Sequence, residues 1–414
     1  MLVESHYNPS LPFIMHIDLN SCFATVEQQA RPRLRGRPVA VVNRRTEHTM
    51  IVTASYEAKK MGVTLGMRLK DAKKLCPGLI GVESDPSKYK YVYHQLMRIM
   101  GDYSAHVRMK SIDEGVIDFG ESTQAIAKRD IKDIGWEIKQ RLWNEIGTVM
   151  NCNVGISTNR FLAKTAAGLH KPNGLDVITA ENLRATFATL ALTDLTGIAG
   201  RMEKRLNAVG IFTPLEFLDA SPVTLEKMVF KSICGREWHQ RLRGWEVDKR
   251  DFPLRSAGRQ YVLEGYKLPR EETIKRLHHL CEEVGYKIRS KGYHARGVMV
   301  YVRTYDRGGW HAKHMAPLPF FSNQTIFTLV QALFLKAPAN IKMIAVTCYG
   351  LVPADVNDMQ LSLFGDELAR ERSLTSAVDE INQRYGMRTI TSAHSLETTA
   401  FMRAKIPFGS TRYM

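Results

Sequence analysis

The chain has 414 residues, enough for several domains and a sizeable core, and no apolar run in it reaches the length of a membrane span. Its formal charge is +16, from 58 Lys and Arg against 42 Asp and Glu, which fits a polyanionic partner. The six cysteines (Cys22, Cys76, Cys152, Cys234, Cys281 and Cys348) show no C-x-x-C spacing, so neither a zinc site nor a disulfide framework is indicated. They read as reduced, mostly buried thiols of a cytoplasmic protein, and the N-terminus lacks the charged start and apolar core of a signal peptide.

Taken in order, residues 13–17 form an apolar strand that delivers Asp18 at its end and passes into a helix with Ser21 near the cap. Residues 28–87 read as a small inserted module, with strands at 38–42 and 50–54 and helices at 55–61 and 69–75. Tyr56 and Lys59, three apart on one helix face, can both meet phosphate oxygens. A helix at 88–100 leads to the stretch 111–118, where Asp113 and Glu114 are adjacent carboxylates at a hairpin or strand end. Neighbours on a regular strand point to opposite faces, so both serve one site only if the backbone turns there, and Gly115 makes such a distortion cheap. Three carboxylates, Asp18 included, suit a pair of divalent cations that clamp the attacking and leaving oxygens of a phosphoryl displacement.

An amphipathic helix at 129–146 precedes a strand at 152–157, a tight turn and a helix capped by Ser157 or Thr158. That helix runs out into Lys171-Pro172-Asn173-Gly174. Residues 193–218 suggest a helix-hairpin-helix, in which backbone N–H groups around Gly197, Ala199 and Gly200 bind DNA phosphate without reading bases. A charged linker follows at 246–258. Residues 260–352 have the rhythm strand, helix, strand, strand, helix, strand, with Arg289, Lys291, His294, Arg296, Arg303, Arg307, Lys313 and His314 around the central strands. Then Gln360-Leu361-Ser362-Leu363-Phe364 offers two aliphatic anchors and an aromatic to a partner's pocket, and 374–385 is helical. Each signal has a plainer reading when taken singly: a solvated acidic turn at 113–114, a core Phe at 23, an ordinary turn at 171–174, a helical connection at 193–218 and a solvated basic face.

Their order resembles a known family. Asp18 with Phe23 and Ala24, followed by Ser111-Ile112-Asp113-Glu114, resembles the catalytic palm of Y-family translesion DNA polymerases, the bacterial DNA polymerase IV branch above all. The resemblance covers about residues 12–365. It implies an α+β multidomain right hand: palm at 1–28 and 88–175, small fingers at 29–87, a helix-hairpin-helix thumb at 176–245, the linker, and a βαββαβ little finger at 259–352. Residues 353–414 would hold a clamp-binding peptide and a C-terminal tail, in a layout that resembles the polymerase V catalytic subunit.

The resemblance also implies roles. Asp18, Asp113 and Glu114 with the Leu19 carbonyl would hold two Mg²⁺; Thr53, Tyr56, Lys59 and Lys171 would hold the triphosphate; Phe23 would be a steric gate against a 2′-hydroxyl. Lys59 stands where relatives often carry Arg, Cys22 where they carry an aromatic, and Asn20 in place of a second Asp. Gly197, Ala199, Gly200, Arg296 and Arg303 would meet DNA, and Gln360, Leu361, Leu363 and Phe364 the bacterial β sliding clamp. The expected function is template-directed, error-prone synthesis from dNTPs on primer-template DNA in damage tolerance, by a monomer without proofreading or a membrane. Two other classes use part of the same pattern: a nucleotide cyclase, with paired carboxylates and two metals, and a non-catalytic scaffold that binds DNA and clamp.

Overall fold

The computed structural model describes residues 7–121, 128–249, 253–263, 268–306, 308–354, 365–400 and 402. They fall into two compact units, one within residues 1–250 and one within 251–404.

In chain order the first unit contains β1 (Ile14–Leu19), α1 (Cys22–Ala30), β2 (Val39–Val42), β3 (Ile51–Ala54), α2 (Tyr56–Lys60), α3 (Leu69–Leu75), β4 (Ile80–Glu83) and α4 (Pro86–Gly101). Next come β5 (Val107–Met109), β6 (Glu114–Asp118), α5 (Ile131–Arg141), β7 (Cys152–Ser157), α6 (Arg160–Leu169) and β8 (Leu175–Val177), then α7 (Gly200–Asn207), α8 (Pro214–Asp219) and α9 (Cys234–Leu242). A five-stranded sheet runs β5-β6-β1-β7-β8, with β1 antiparallel to both neighbours. A central strand is covered on both faces, which is why β1 reads as a continuous apolar run in which Ile14, Met15 and Ile17 are fully buried. Gly155 of β7 lets α6 lie directly on one face, since a Cβ there would meet the Ala163 carbonyl oxygen at 2.0 Å. On the other face Gly135 of α5 packs against Val154, Met15 and Leu175. A separate three-stranded sheet, β3-β2-β4, is closed by Ala58, Val63, Leu69 and Ala72. A third core gathers Phe161 and Leu162 with Phe187, Leu206, Phe217 and Leu242 of the helical part.

Several local expectations change. Ser21 does sit at the cap of α1, but in a left-handed conformation and without a side-chain capping bond. The cap of α6 is Asn159, whose side chain accepts from Leu162 N; Ser157 ends β7 and bonds the Ile178 carbonyl, while Thr158 bonds Gly244. The helix expected to reach residue 146 is α-helical only to Arg141 and widens to π geometry over Leu142–Ile146. Gly115 lies in regular strand pairing, so backbone freedom is not its use; a Cβ there would meet Met100 and Met109 at 2.8 Å.

The second unit contains β9 (Ser256–Val262), α10 (Arg270–Arg289), β10 (Tyr293–Thr304), β11 (Gly309–Phe320), α11 (Asn323–Phe334) and β12 (Ile341–Pro353), the rhythm expected of it. Its antiparallel sheet has the order β11-β10-β12-β9, and Leu277, Val284, Ile288, Ile326 and Val330 of the two helices pack with Val298, Val300, Ile344 and Val346. A longer helix than expected, α12 (Gly365–Tyr385), and the turn Ala393–Ala400 belong to the same unit. Asp379 of α12 pairs with Arg289 at 2.7 and 2.8 Å, His279 Nδ1 lies 2.6 Å from Thr398 Oγ1, and Met402 enters the core. Among the described residues no helix is long and apolar enough to cross a membrane.

Candidate active site

The strand register assembles the site. Asp18, last but one in β1, stands directly opposite Glu114 of β6 and, on its other side, opposite Asn153 of β7. Directly opposed residues in an antiparallel pair share a face, so Asp18 and Glu114 project together. Asp113 precedes the strand, where the chain bends, and its carbonyl accepts from Leu19 N at 2.8 Å, which fixes it beside the end of β1. The turn demanded by two adjacent carboxylates therefore lies at 111–113, before Gly115 rather than at it.

The charges around these groups are lopsided. Asp113 is largely buried, and burial pushes its carboxyl pKa up; Asp18 and Glu114 add to this, while a hydrogen bond from Ser111 opposes it. Burial would push Glu114 up as well, but His16 Nε2 at 3.1 Å and the Lys164 ammonium outweigh it and hold Glu114 at about 2. Asp18 is paired with the Lys171 ammonium. Glu114 is turned onto Lys164 and Asp18 onto Lys171, and no three His, Cys, Asp or Glu stand together as a metal-binding group among the described residues. The donor chemistry still fits divalent cations: hard carboxylate oxygens of Asp18, Asp113 and Glu114, with the Lys164 and Lys171 ammonium groups now balancing the charge.

Tyr56 and Lys59 share one face of α2, with the ammonium 4.6 Å from the ring centroid. Lys59 is pulled down by burial and then by the charge of Lys171, against the pull of Asp18. Tyr56 is pushed up by burial and by Asp18. Geometry pairs Tyr56 with Lys59 and Lys171 with Asp18. Thr53 is on β3, its hydroxyl turned to the Val52 carbonyl at 2.8 Å. Phe23 is buried and stacks on Tyr89 with centroids 4.4 Å apart and planes 17° from parallel. The Tyr89 hydroxyl donates to buried Glu27 at 2.9 Å, and Glu27 is paired with Lys88 and Arg31. Burial, with Asp113 and Asp18 nearby, pushes the Cys22 thiol well up, so it fills space as a neutral group.

Sequence reasoning missed His16, Lys164 and Tyr89. His16 was within reach, since period two puts it on the face of Asp18. Lys164 and Tyr89 meet their partners only through tertiary packing. At the helix-hairpin-helix, Gly197 has φ 94°, Ala199 caps α7 in extended conformation without a side-chain bond, and Gly200 opens the helix; all three are exposed. Arg296 and Arg303 are exposed on β10. Arg289 and His294 leave the expected basic face: Arg289 is bound to Asp379, and His294 is buried and stacked on Phe321. Gln360, Leu361, Leu363 and Phe364 lie outside the described residues, as does Arg307.

A model of the impB/mucB/samB family matches residues 17–168, and one of that family's C-terminal domain matches 265–363. Over 407 residues the chain is 32% identical to DNA polymerase IV of Pelotomaculum thermopropionicum, covering 95% of this chain and 97% of the relative. Over 400 residues it is 33% identical to DNA polymerase IV of Moorella thermoacetica, covering 92% and 96%. Among solved structures, a Y-family DNA polymerase chimera superposes with a TM-score of 0.69 at 22% identity, over 82% of this chain and 99% of that one. An insertion ternary complex of Dbh DNA polymerase gives 0.57 at 23% identity, with the same coverage. The fold is thus the α+β right hand, with palm, small fingers, helix-hairpin-helix thumb and little finger. Together with the relatives it defines a DNA-directed DNA polymerase, which sets the cyclase and scaffold readings aside. The chain belongs to the Y family of these enzymes, close to DNA polymerase IV, and translesion DNA synthesis is the activity of that group.

Proposed function

We propose that the protein extends a primer 3′-OH with dNTPs at the site built on Asp18, Asp113 and Glu114. The observation that carries this is the register that puts Asp18 beside Glu114, with Asp113 tied to Leu19 and Lys171 paired with Asp18. Asp18, Asp113, Glu114 and the Leu19 carbonyl would hold two Mg²⁺, which when bound neutralise charge on the attacking and leaving oxygens. Lys171 moves from Asp18 to the triphosphate, and Tyr56, Lys59 and Thr53 meet the same phosphates from the fingers side. Phe23, backed by Tyr89, lies under the sugar, where a 2′-hydroxyl would overpack it at a cost of about 1–3 kcal/mol.

The domain assignment is that of the sequence: palm at 1–28 and 88–175, fingers at 29–87, thumb at 176–245, linker at 246–258, little finger at 259–352, clamp peptide and tail from 353. Primer-template DNA meets the exposed backbone at Gly197, Ala199 and Gly200 and the guanidinium groups of Arg296 and Arg303, contacts that go to phosphate and carry no sequence preference. Residues 360–364 recruit the sliding clamp through Gln360, Leu361, Leu363 and Phe364. The enzyme acts as a cytoplasmic monomer without proofreading.

Primer extension on an undamaged template with Mg²⁺ tests this. Short, template-dependent addition is expected from the wild type, with loss of roughly a thousandfold in Asp113→Ala at unchanged primer-template affinity. Phe23→Leu is expected to admit ribonucleotides. Extension that survives Asp113→Ala would overturn the assignment of the site.

A further inference from the structure

Lys171 sits in a turn whose frame is held by three buried side chains. Asn20, at the end of β1, receives the Asn173 N–H on its Oδ1 at 2.8 Å and donates its Nδ2 to Asn153 Oδ1 at 2.8 Å. Asn153, on β7, donates its own Nδ2 to the His170 carbonyl at 3.1 Å. From the other side the Lys139 ammonium of α5 donates to the carbonyls of Asn173 at 2.6 Å, Gly174 at 3.0 Å and Cys152 at 3.1 Å. Asn20 is 2% exposed, Asn153 0% and Lys139 8%; the bonds Asn20–Asn153 and Lys139–Cys152 are buried and the others half-buried, where a lost partner is costly.

The polarity of this network is determined. Asn153 must give its N–H to His170, so its oxygen faces Asn20; Asn20 must then present N–H to Asn153 and keep its oxygen for Asn173 N. Four backbone groups of residues 170–174 are thereby bound, at His170 O, Asn173 N, Asn173 O and Gly174 O. There is no slack, since a Cβ on Gly174 would stand 2.3 Å from His170 O and 3.1 Å from Asn153 Nδ2. Asn173 has φ 63°, a conformation Asn tolerates. What projects from the frame is the Lys171 side chain, 38% exposed and reaching Asp18.

We propose that Asn20, Asn153 and Lys139 are positioning residues for the incoming nucleotide: they touch no substrate and act by fixing the turn from which Lys171 reaches the triphosphate. Asn20 thus serves the phosphate side of the site through a neutral amide rather than as a further carboxylate. This rests on the reading of Lys171 as a triphosphate ligand. A positioned ammonium loses less freedom on binding than one on a loose loop, so loosening the frame weakens nucleotide binding first and chemistry second.

The test is single-turnover insertion by Asn153→Ala and by Lys139→Met, each alone and in a Lys171→Ala background, with thermal melting to confirm folding. Each single variant is expected to raise the apparent nucleotide Kd about tenfold, with the insertion rate within about threefold and DNA affinity unchanged, as loss of the two hydrogen bonds of Asn153 or the three of Lys139 would give. In the Lys171→Ala background the same substitution should add less than about twofold, because residues acting through one side chain are not additive. Full additivity there, or an unchanged nucleotide Kd in both single variants, would overturn the proposal. If Lys171→Ala itself leaves the nucleotide Kd unchanged, the reading of Lys171 fails and the proposal with it.

Discussion

In the five-stranded sheet of the first unit, β7 is buried at all of Cys152–Ser157, and the neighbouring β1 is buried except at Asp18. In the four-stranded sheet of the second unit, β11 is exposed or half-buried from Gly309 to Pro319, and one face of β10 leaves Met299, Tyr301 and Arg303 half-buried or exposed. The polar residues follow. His16, Asn20, Asn153 and Ser157 are buried and hydrogen-bonded to named partners, so their atoms have one place to be. His311, Lys313 and His314 stand on an exposed strand, where side-chain freedom keeps charge at the surface without fixing it. Polar groups around the carboxylates are set by burial and by bonds to named partners. Groups that meet a phosphate backbone need only density and sign.

One substitution made in both sheets sharpens the contrast. Gly155→Ala should cost about 3 kcal/mol, seen as a lowered melting temperature, because its Cβ would meet backbone, Ala163 O at 2.0 Å and Ala167 N at 2.2 Å. Gly297→Ala in β10 should change stability by less than about 1 kcal/mol: the Cβ meets the far end of the Tyr349 ring, which can swing, and the lost chain entropy offsets the rest. Equal losses from the two would break the comparison.

Acid should act next in size, and through the second unit. His279 is buried and held down to about 4, by burial first and then by Arg388. Its folded value lies below the ordinary 6.5, so the stability it contributes is complete above pH 6.5 and is lost as pH falls from there through about 4. The loss should be on the order of 2 kcal/mol, read as the difference in acid-induced melting shift between the wild type and His279→Gln. The smallest effect is expected at Arg303→Ala. DNA affinity should fall severalfold at moderate salt, and the slope of log K against log salt should shrink by about 0.9 for one phosphate contact. An unchanged slope would remove Arg303 from the interface.

Much of this was legible in the sequence because strand ends and helix faces have fixed periods. Asp18, Asp113 and Glu114 stood at the ends of apolar runs, and Tyr56 and Lys59 sat one helical turn apart. The alternation of strands and helices in 260–352 came through whole. Contacts between distant segments left no such mark. Nothing local ties Lys164 to Glu114, fifty residues away, or Tyr89 to Phe23. The cap of α6 went to Asn159 because Ser157 and Thr158 were drawn off to Ile178 and Gly244, partners no pattern reveals. The basic face lost Arg289 for the same reason, since α12 supplies Asp379 from ninety residues downstream, and it lost His294 to a buried stack on Phe321.

The burial of the thiols has a chemical consequence. Thiolate is the species that electrophiles and peroxide attack, and the protein suppresses it at Cys22 beside the carboxylates, at Cys152 on the adjoining strand (pushed to about 12), and at Cys281 and Cys348 in the second unit. Cys234, at the start of α9, is the exposed cysteine among them. In this chain the sulfur beside Asp113 and Asp18 is kept as a neutral filler, and the exposed Cys234 lies in the helical part of the unit.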